Sequence, residues 1–169
     1  MQEITGDIWK KAHFFRDIIV IPTTIGWTRS GLALAGRGLA KQAALRFPSL
    51  EQIYGEHCQA HRAQTPVMTM RFGGLGGGRW LCLLPTKPLR EDHPEMSWQG
   101  KADLKLIERG LRQLQALKLP LPSKRSKVYV PLLGCGFGGL RRGPVRELMD
   151  AILTDERFAR VRLERKRKS

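Results

Sequence analysis

The chain is poor in the residues that build disulfide or metal scaffolds. Its 169 residues include three widely spaced cysteines, Cys58, Cys82 and Cys135, and four scattered histidines. No CxxC pair and no Cys/His pair at ligand spacing occurs, so neither a disulfide framework nor a zinc site is expected. His57 and His61 stand four apart on an expected helix, but no third ligand is in register, and both are read as surface residues. Acidic residues are scarce: 15 Asp and Glu face 30 Lys and Arg, for a formal net charge of +15. That balance points to a polyanionic partner, such as nucleic acid or a nucleotide carried on one, unless it serves only solubility. No apolar run approaches the roughly 18 residues that span a bilayer. The start, Met1-Gln2-Glu3-Ile4, has neither a basic leader nor an apolar stretch, so no signal peptide and a cytoplasmic location are expected. The length suits one domain with a proper core, expected as a monomer over residues 1–163, with a basic tail at 164–169.

What is present is an alternation of strand and helix patterns. Residues 17–22 (Asp-Ile-Ile-Val-Ile-Pro) read as a strand buried on both faces. Leu39, Ala40, Ala43, Ala44 and Phe47 fall at helical spacing, and Pro48 ends that helix. Ser49 is placed to cap a second helix carrying Leu50, Ile53 and Tyr54. Residues 67–72 and 80–84 read as a hairpin about the glycine-rich turn 73–78. Leu104, Ile107, Leu111 and Leu114 make one helical stripe, and Val145, Leu148, Met149 and Ile152 another. Residues 128–133 and 159–163 read as further strands. This order predicts an α/β fold: a three-layer α/β/α domain whose central sheet is largely parallel and made mixed by the hairpin. Two long loops, 23–35 and 88–100, lie where open α/β sheets bind ligands. Trp27 and Trp98 sit in them, with rings that serve either to stack on adenine or a nucleobase or to pack in the core.

The most telling segment is Pro131-Leu132-Leu133-Gly134-Cys135-Gly136-Phe137-Gly138-Gly139-Leu140. Here a strand turns through glycines toward a helix, which leaves main-chain N–H groups bare for an anion. Glycine permits unusual backbone angles and close approach of a ligand. The spacing is neither GxGxxG with a following acid nor GxxxxGK[ST], so a phosphate site of another kind is expected.

Four blocks, in order along the chain, resemble the macrodomain, the ADP-ribose-binding family. They are Ile4-Thr5-Gly6-Asp7-Ile8, the strand ending Ile19-Val20-Ile21-Pro22-Thr23-Thr24, the helix start Gly36-Arg37-Gly38-Leu39-Ala40-Lys41-Gln42 with Arg46-Phe47-Pro48, and the glycine run. Thr86-Lys87 and Ile107-Glu108-Arg109-Gly110-Leu111 are similar to the DarG-type branch, the DNA ADP-ribosyl glycohydrolase antitoxins. The terminal ADP-ribose glycohydrolase branch shares the lysine but has an aspartate where this chain has Gly138.

The resemblance implies a role for each block. Asp7 would accept from the adenine amino group, or merely cap a helix, and Ile8 would offer its backbone N–H to the ring. Thr23 and Thr24 stand where other macrodomains place an asparagine near the ribose. Gly36, Arg37, Gly38, Leu39 and Ala40 would set a helix N-terminus against the diphosphate; Arg37 either adds charge or points to solvent. Leu133, Gly134, Cys135, Gly136, Phe137 and Gly138 would wrap the phosphates and distal ribose, with Phe137 on that ribose or as a plug over the loop. Lys87 is the catalytic candidate, a strand-end lysine able to act as a nucleophile once its pKa is lowered, set against its reading as a solvated lysine. DarG-type proteins follow the lysine closely with a His and a Trp; here Pro88 follows, and His93 and Trp98 are the nearest such residues. No metal or cofactor is implied, and ADP-ribose is ligand or product. Three functions remain open: a hydrolase releasing ADP-ribose from modified nucleic acid or protein, a reader that binds ADP-ribose without turnover, and a basic nucleic-acid binder with a vestigial pocket.

Overall fold

The computed structural model describes residues 1–73 and 78–163. The tip of the hairpin turn, 74–77, and the basic tail, 164–169, lie outside the described residues. The elements run β1 (Gln2–Thr5), α1 (Ile8–Lys11), β2 (Ile18–Thr24), α2 (Gly38–Arg46), α3 (Leu50–His61), β3 (Met68–Phe72), β4 (Arg79–Lys87), α4 (Leu104–Ala116), β5 (Val128–Pro131), α5 (Arg142–Ile152) and β6 (Phe158–Arg162). One six-stranded sheet has the order β1-β6-β5-β2-β4-β3. Every neighbour pair is parallel except β3 with β4, the hairpin. This is the mixed, largely parallel sheet that the alternation predicts.

The central strand explains the layers. Along β2, side chains alternate between the two faces. Ile19 and Ile21 enter a core with Leu39, Ala43, Leu50 and Tyr54 of α2 and α3. Ile18 and Val20 enter another with Ile107, Leu111, Val145 and Met149 of α4 and α5. All four β2 residues are fully buried, which is why the strand reads as an unbroken apolar run.

Several local expectations are corrected. β1 was not anticipated: its half-exposed Gln-Glu-Ile-Thr carries little apolar signal, and pairing with β6 makes it a strand. Ser49 occupies the N-cap position of α3 but is helical there (φ −79°, ψ −11°), and its side chain makes no capping bond. In α4 the core place expected for Leu104 belongs to Leu106, while Leu104 is exposed at the first turn. That turn is capped by Asp103, whose carboxylate accepts from the amides of Lys105 and Leu106. His61 is at the surface as expected, but His57 is half-buried, with Nε2 3.0 Å from the Pro66 carbonyl. Burial pushes its pKa down.

Candidate functional site

A cavity of about 730 Å³ opens at the carboxyl ends of β2, β4 and β5. Its floor comes from the strands. Thr23 and Thr24 end β2, and Thr86 and Lys87 end β4 beside them, across a register shift between Thr23 and Thr24. Buried hydroxyls pin this floor. The Thr23 hydroxyl pairs with the Tyr54 hydroxyl of α3 at 2.6 Å, and the Thr86 hydroxyl donates to the Thr23 carbonyl at 3.1 Å. The Thr86 carbonyl in turn accepts from the Asp103 amide at 2.9 Å, which ties β4 to the start of α4.

One wall is the start of α2. Gly36, Arg37, Gly38, Leu39 and Ala40 all line the cavity. Gly38 has φ +59°, a left-handed conformation that favours glycine. The first amides of an α-helix have no partner within it and carry partial positive charge, so this end of α2 offers donors to an anion.

The opposite wall is the glycine loop after β5. Gly134 has φ +70°, and a Cβ there would stand 2.7 Å from the Ala102 Cβ. A Cβ on Gly138 would meet the Gly134 carbonyl at 2.5 Å. The loop closes on itself through Leu140 N–H to Gly134 O and Gly139 N–H to Gly136 O, and Gly138 O accepts from Ala102 N–H. The amides of Gly136, Phe137 and Gly138 find no acceptor among the described residues. Successive bare amides of this kind form an anion-binding concavity.

Lys87 sits between the walls, half-buried, with Nζ donating to the Trp98 carbonyl at 2.7 Å. Burial first, and the Arg37 guanidinium second, hold its ammonium below the usual lysine range. Both effects favour the neutral amine, the form that carries a lone pair. Arg37 itself is exposed, with its guanidinium 5.2 Å from the Trp98 ring centroid and 5.4 Å from that of Phe137.

Of the sequence candidates, Thr23, Thr24, Lys87, the whole α2 start, Gly134, Gly136, Phe137 and Gly138 come together on the cavity surface. Asp7, Ile8, Leu133 and Cys135 do not line it. Leu133 and the Ile8 side chain are in the cores, and the Cys135 thiol is 3.4 Å from the Leu133 carbonyl. Asp7 caps α1, its Oδ1 accepting from the Trp9 amide at 2.9 Å. Its segment nevertheless borders the mouth, because Gly6 N–H donates to Arg162 O and the next residue, Leu163, lines the cavity.

Sequence reasoning had not assigned Thr86, Glu51, Glu95 or Leu163 to the site, yet all four line it. Thr86 had a signal in its pairing with Lys87. Glu95 had one in its place on the 88–100 loop, whereas Glu51 and Leu163 had none, since each reaches the site only through the packing of its element. The two loop tryptophans part company. Trp98 lines the cavity and is 40% exposed. Trp27 packs against the α2–α3 core instead, with the Arg62 guanidinium 5.4 Å over its ring.

Similarity to known proteins follows this geometry. The macrodomain of Thermus aquaticus DarG superposes with a TM-score of 0.71 at 21% identity, covering 97% of each chain. The macrodomain of Mycobacterium tuberculosis DarG gives 0.66 at 22% identity, over 89% of this chain and 90% of that one. The chain has the macrodomain fold. Thermosipho africanus DarTG, solved in complex with ADP-ribose, gives 0.66 at 23% identity, over 91% of this chain and 39% of that one. Among curated proteins, a DNA ADP-ribosyl transferase–DNA ADP-ribosyl glycohydrolase fusion protein of Thermosipho africanus is 26% identical over 139 residues. The match takes in 73% of this chain, which spans about a third (33%) of that relative's length. No protein-family model matches the chain. The DarG-type resemblance read from the motifs is thus met in both sequence and structure. Among the described residues, no helix is long and apolar enough to cross a membrane.

Proposed function

We propose that the chain binds ADP-ribose in this cavity and hydrolyses it from a modified nucleic acid or protein, with Lys87 as the catalytic group. One observation carries the reading: a half-buried lysine with a lowered pKa stands between a helix N-terminus and a loop of three bare amides. The diphosphate would lie between those two donor sets, which puts the distal ribose near the strand ends. Asp7, with Oδ2 unpartnered among the described residues, would take the adenine amino group at the rim. Lys87 Nζ would then bond to the anomeric carbon as the bond to the modified group breaks and that group gains a proton. Water would next add its oxygen to the same carbon and return Lys87 as the free amine. The relative solved with ADP-ribose and the curated relative named as a DNA ADP-ribosyl glycohydrolase fusion support the assignment.

A reader without turnover is the second reading. It is favoured by the bond holding Lys87 Nζ to the Trp98 carbonyl and by the glycine loop, which places Gly138 where one related branch has an acid. A Lys87→Ala variant separates the two. A hydrolase loses turnover of ADP-ribosylated DNA by at least ~100-fold while ADP-ribose still binds in calorimetry, whereas a reader shows no turnover to lose. If the unaltered protein binds no ADP-ribose at millimolar ligand, both readings fail and the basic surface is left as the functional feature.

A further inference from the structure

A line of titratable side chains adjoins the cavity and has no part in the steps assigned to Lys87. Pro94–Gln99, within the 88–100 loop, wind into a stretch of 3₁₀ helix. Glu95 and Trp98 are three apart in it, so their side chains lie on one side, about 6 Å apart along the axis. Both line the cavity. The stretch is fixed against the strand ends beside Lys87. Lys87 Nζ donates to the Trp98 carbonyl at 2.7 Å, and the Lys87 carbonyl accepts the Ile25 amide at 2.9 Å. The next residue, Gly26, is where the loop closes in: a Cβ there would stand 2.5 Å from the Pro94 carbonyl oxygen and 3.0 Å from the Ser97 Cβ. Glu95 is thus bracketed by Pro94 and Trp98, both held at the strand end that carries Lys87. Outward from it, His93 Nδ1 stands 3.6 Å from Glu95 Oε1, and His93 Nε2 stands 4.0 Å from Asp92 Oδ2. Side-chain exposure rises from 32% at Glu95 to 57% at His93 and 67% at Asp92, so the three lead from the cavity to solvent.

We propose that Glu95 is the general base of the hydrolytic step, taking the proton from the water that frees ADP-ribose from Lys87. The inference rests on the reading above, in which Lys87 Nζ bonds to the anomeric carbon. In that adduct Nζ keeps its two hydrogens and carries positive charge. The water oxygen bonds to the anomeric carbon as the bond from that carbon to Nζ breaks. The electron pair of the broken bond returns to Nζ, which leaves as the neutral amine. The water proton passes to a Glu95 carboxylate oxygen and out to solvent by way of His93. The proton gained by the departing group in the first stage comes from solvent, so protons balance over the cycle. The other groups lining the cavity do not suit the task. A guanidinium has no lone pair to offer, which excludes Arg37, and Lys87 is the nucleophile. Threonine hydroxyls are not bases near neutral pH. Glu51 is the other carboxylate among the described lining residues. Its backbone is tied to Ala33, whose amide donates to the Glu51 carbonyl at 2.7 Å, and not to the Lys87 strand end.

The test compares hydrolysis of ADP-ribosylated DNA by the unaltered chain and by Glu95→Gln, which keeps the side chain's size and removes the base. A positioned base contributes about 10²–10⁴-fold, so steady-state turnover should fall at least ~100-fold. The first release of unmodified DNA should stay near the unaltered rate, because it precedes the step that needs the base. Mass spectrometry of the stalled protein should then find one ADP-ribosyl group, mapped to Lys87. Azide needs no base, so it should restore turnover with ADP-ribosyl azide as the product. Glu95→Asp, with a shorter carboxylate, should fall between the two. Unchanged turnover in Glu95→Gln refutes the inference and leaves the Lys87 reading standing. A loss with no adduct and no restoration by azide gives Glu95 a structural part only, and refutes it likewise. If Glu51→Gln shows the azide-restored loss instead, the base is on α3 and the inference is again refuted. If the unaltered chain does not hydrolyse the substrate, or Lys87→Ala hydrolyses it as fast, the reading and the inference fall together.

Discussion

Gly136 and Gly138 are two residues apart in one loop, and the structure gives them opposite reasons for being glycine. A Cβ on Gly136 would meet nothing within 4 Å. Its φ is not in the left-handed region, so a side chain there is tolerated and points into open space at the cavity. A Cβ on Gly138 would stand 2.5 Å from the Gly134 carbonyl and 2.8 Å from both Gly134 Cα and the Ala102 Cβ. Two of those three atoms are backbone, so the loop itself must open. Gly138→Ala is therefore expected to cost about 1–3 kcal/mol, the range for forcing extra atoms into a packed site. For a chain of 169 residues this lowers the melting temperature by about 2–4 °C per kcal/mol. Gly136→Glu should leave the melting temperature within about 2 °C, since surface substitutions rarely exceed ±0.5 kcal/mol. Its effect falls on the ligand instead. A carboxylate about 5 Å from a phosphate charge is repelled by about 3 kcal/mol at an effective dielectric near 20. Even after the side chain swings toward solvent, affinity for ADP-ribose should fall at least ~100-fold, or about 2.7 kcal/mol. Calorimetric titration and thermal unfolding of both variants read the two quantities separately. The reasoning is refuted if Gly136→Glu melts as early as Gly138→Ala, or if it binds ADP-ribose as tightly as the unaltered chain.

Three further outcomes are expected. Tyr54→Phe removes the hydroxyl paired with Thr23 and strands a buried polar group under the cavity floor; it should lower unfolding free energy in denaturant by about 1–3 kcal/mol, and an unchanged midpoint would sink the pinning argument. Burial pushes the Cys82 thiol up to about 12 and raises Cys58 as well. Burial raises the Cys135 thiol too, so exposure decides, and mass spectrometry after iodoacetamide treatment of the native protein should find label on the partly exposed Cys135 and none on Cys82. The Arg160 and then the Arg146 guanidinium hold the Glu3 carboxyl below its ordinary value of 4.5. A lowered carboxylate pKa means that its stabilising effect is full above 4.5 and is lost as pH falls through the lower folded value. Glu3→Gln should thus be less stable than the unaltered chain at neutral pH, and the difference should shrink in acid; a difference constant with pH would contradict the ion-pair account.

The parts of the fold legible in the sequence are those that local physics decides. The run Ile18-Ile19-Val20-Ile21 had to be a strand covered on both faces, and all four side chains are buried. The glycine loop was legible as a tight turn leaving a strand, since four glycines in six residues allow little else locally, but the run alone does not separate an anion cradle from an ordinary turn. What stayed hidden depends on partners distant in sequence. β1 becomes a strand only because β6, more than 150 residues later, offers it a ladder. Arg79 shows the same limit from the other side. A charged residue beginning a strand reads as exposed, yet it is buried under Trp9 and Phe14 with a nitrogen donating to the Ala12 carbonyl. The Thr23–Tyr54 pair and the Trp98–Arg37–Phe137 cluster belong to this class too, since no spacing rule joins positions 31 or 61 residues apart.

Chain routing explains why the cavity lies where it does. β2 leaves the sheet toward the α2–α3 layer, whereas its neighbours β4 and β5 leave toward α4 and α5 on the opposite face. At the end of β2 the two departures split apart, and a crevice must open between them, the topological switch point of an open α/β sheet. The crevice alone selects no ligand, because many chemistries use such a position. Selection comes from what the departing segments carry. The route into α2 supplies a helix N-terminus led by Gly36, Arg37 and Gly38, and the route into α5 supplies three bare amides. The strand end between them supplies Lys87. Donors on two walls and a lysine on the floor are what the proposed reading requires of the crevice: a place for a diphosphate, and a nucleophile within reach of the carbon joined to it.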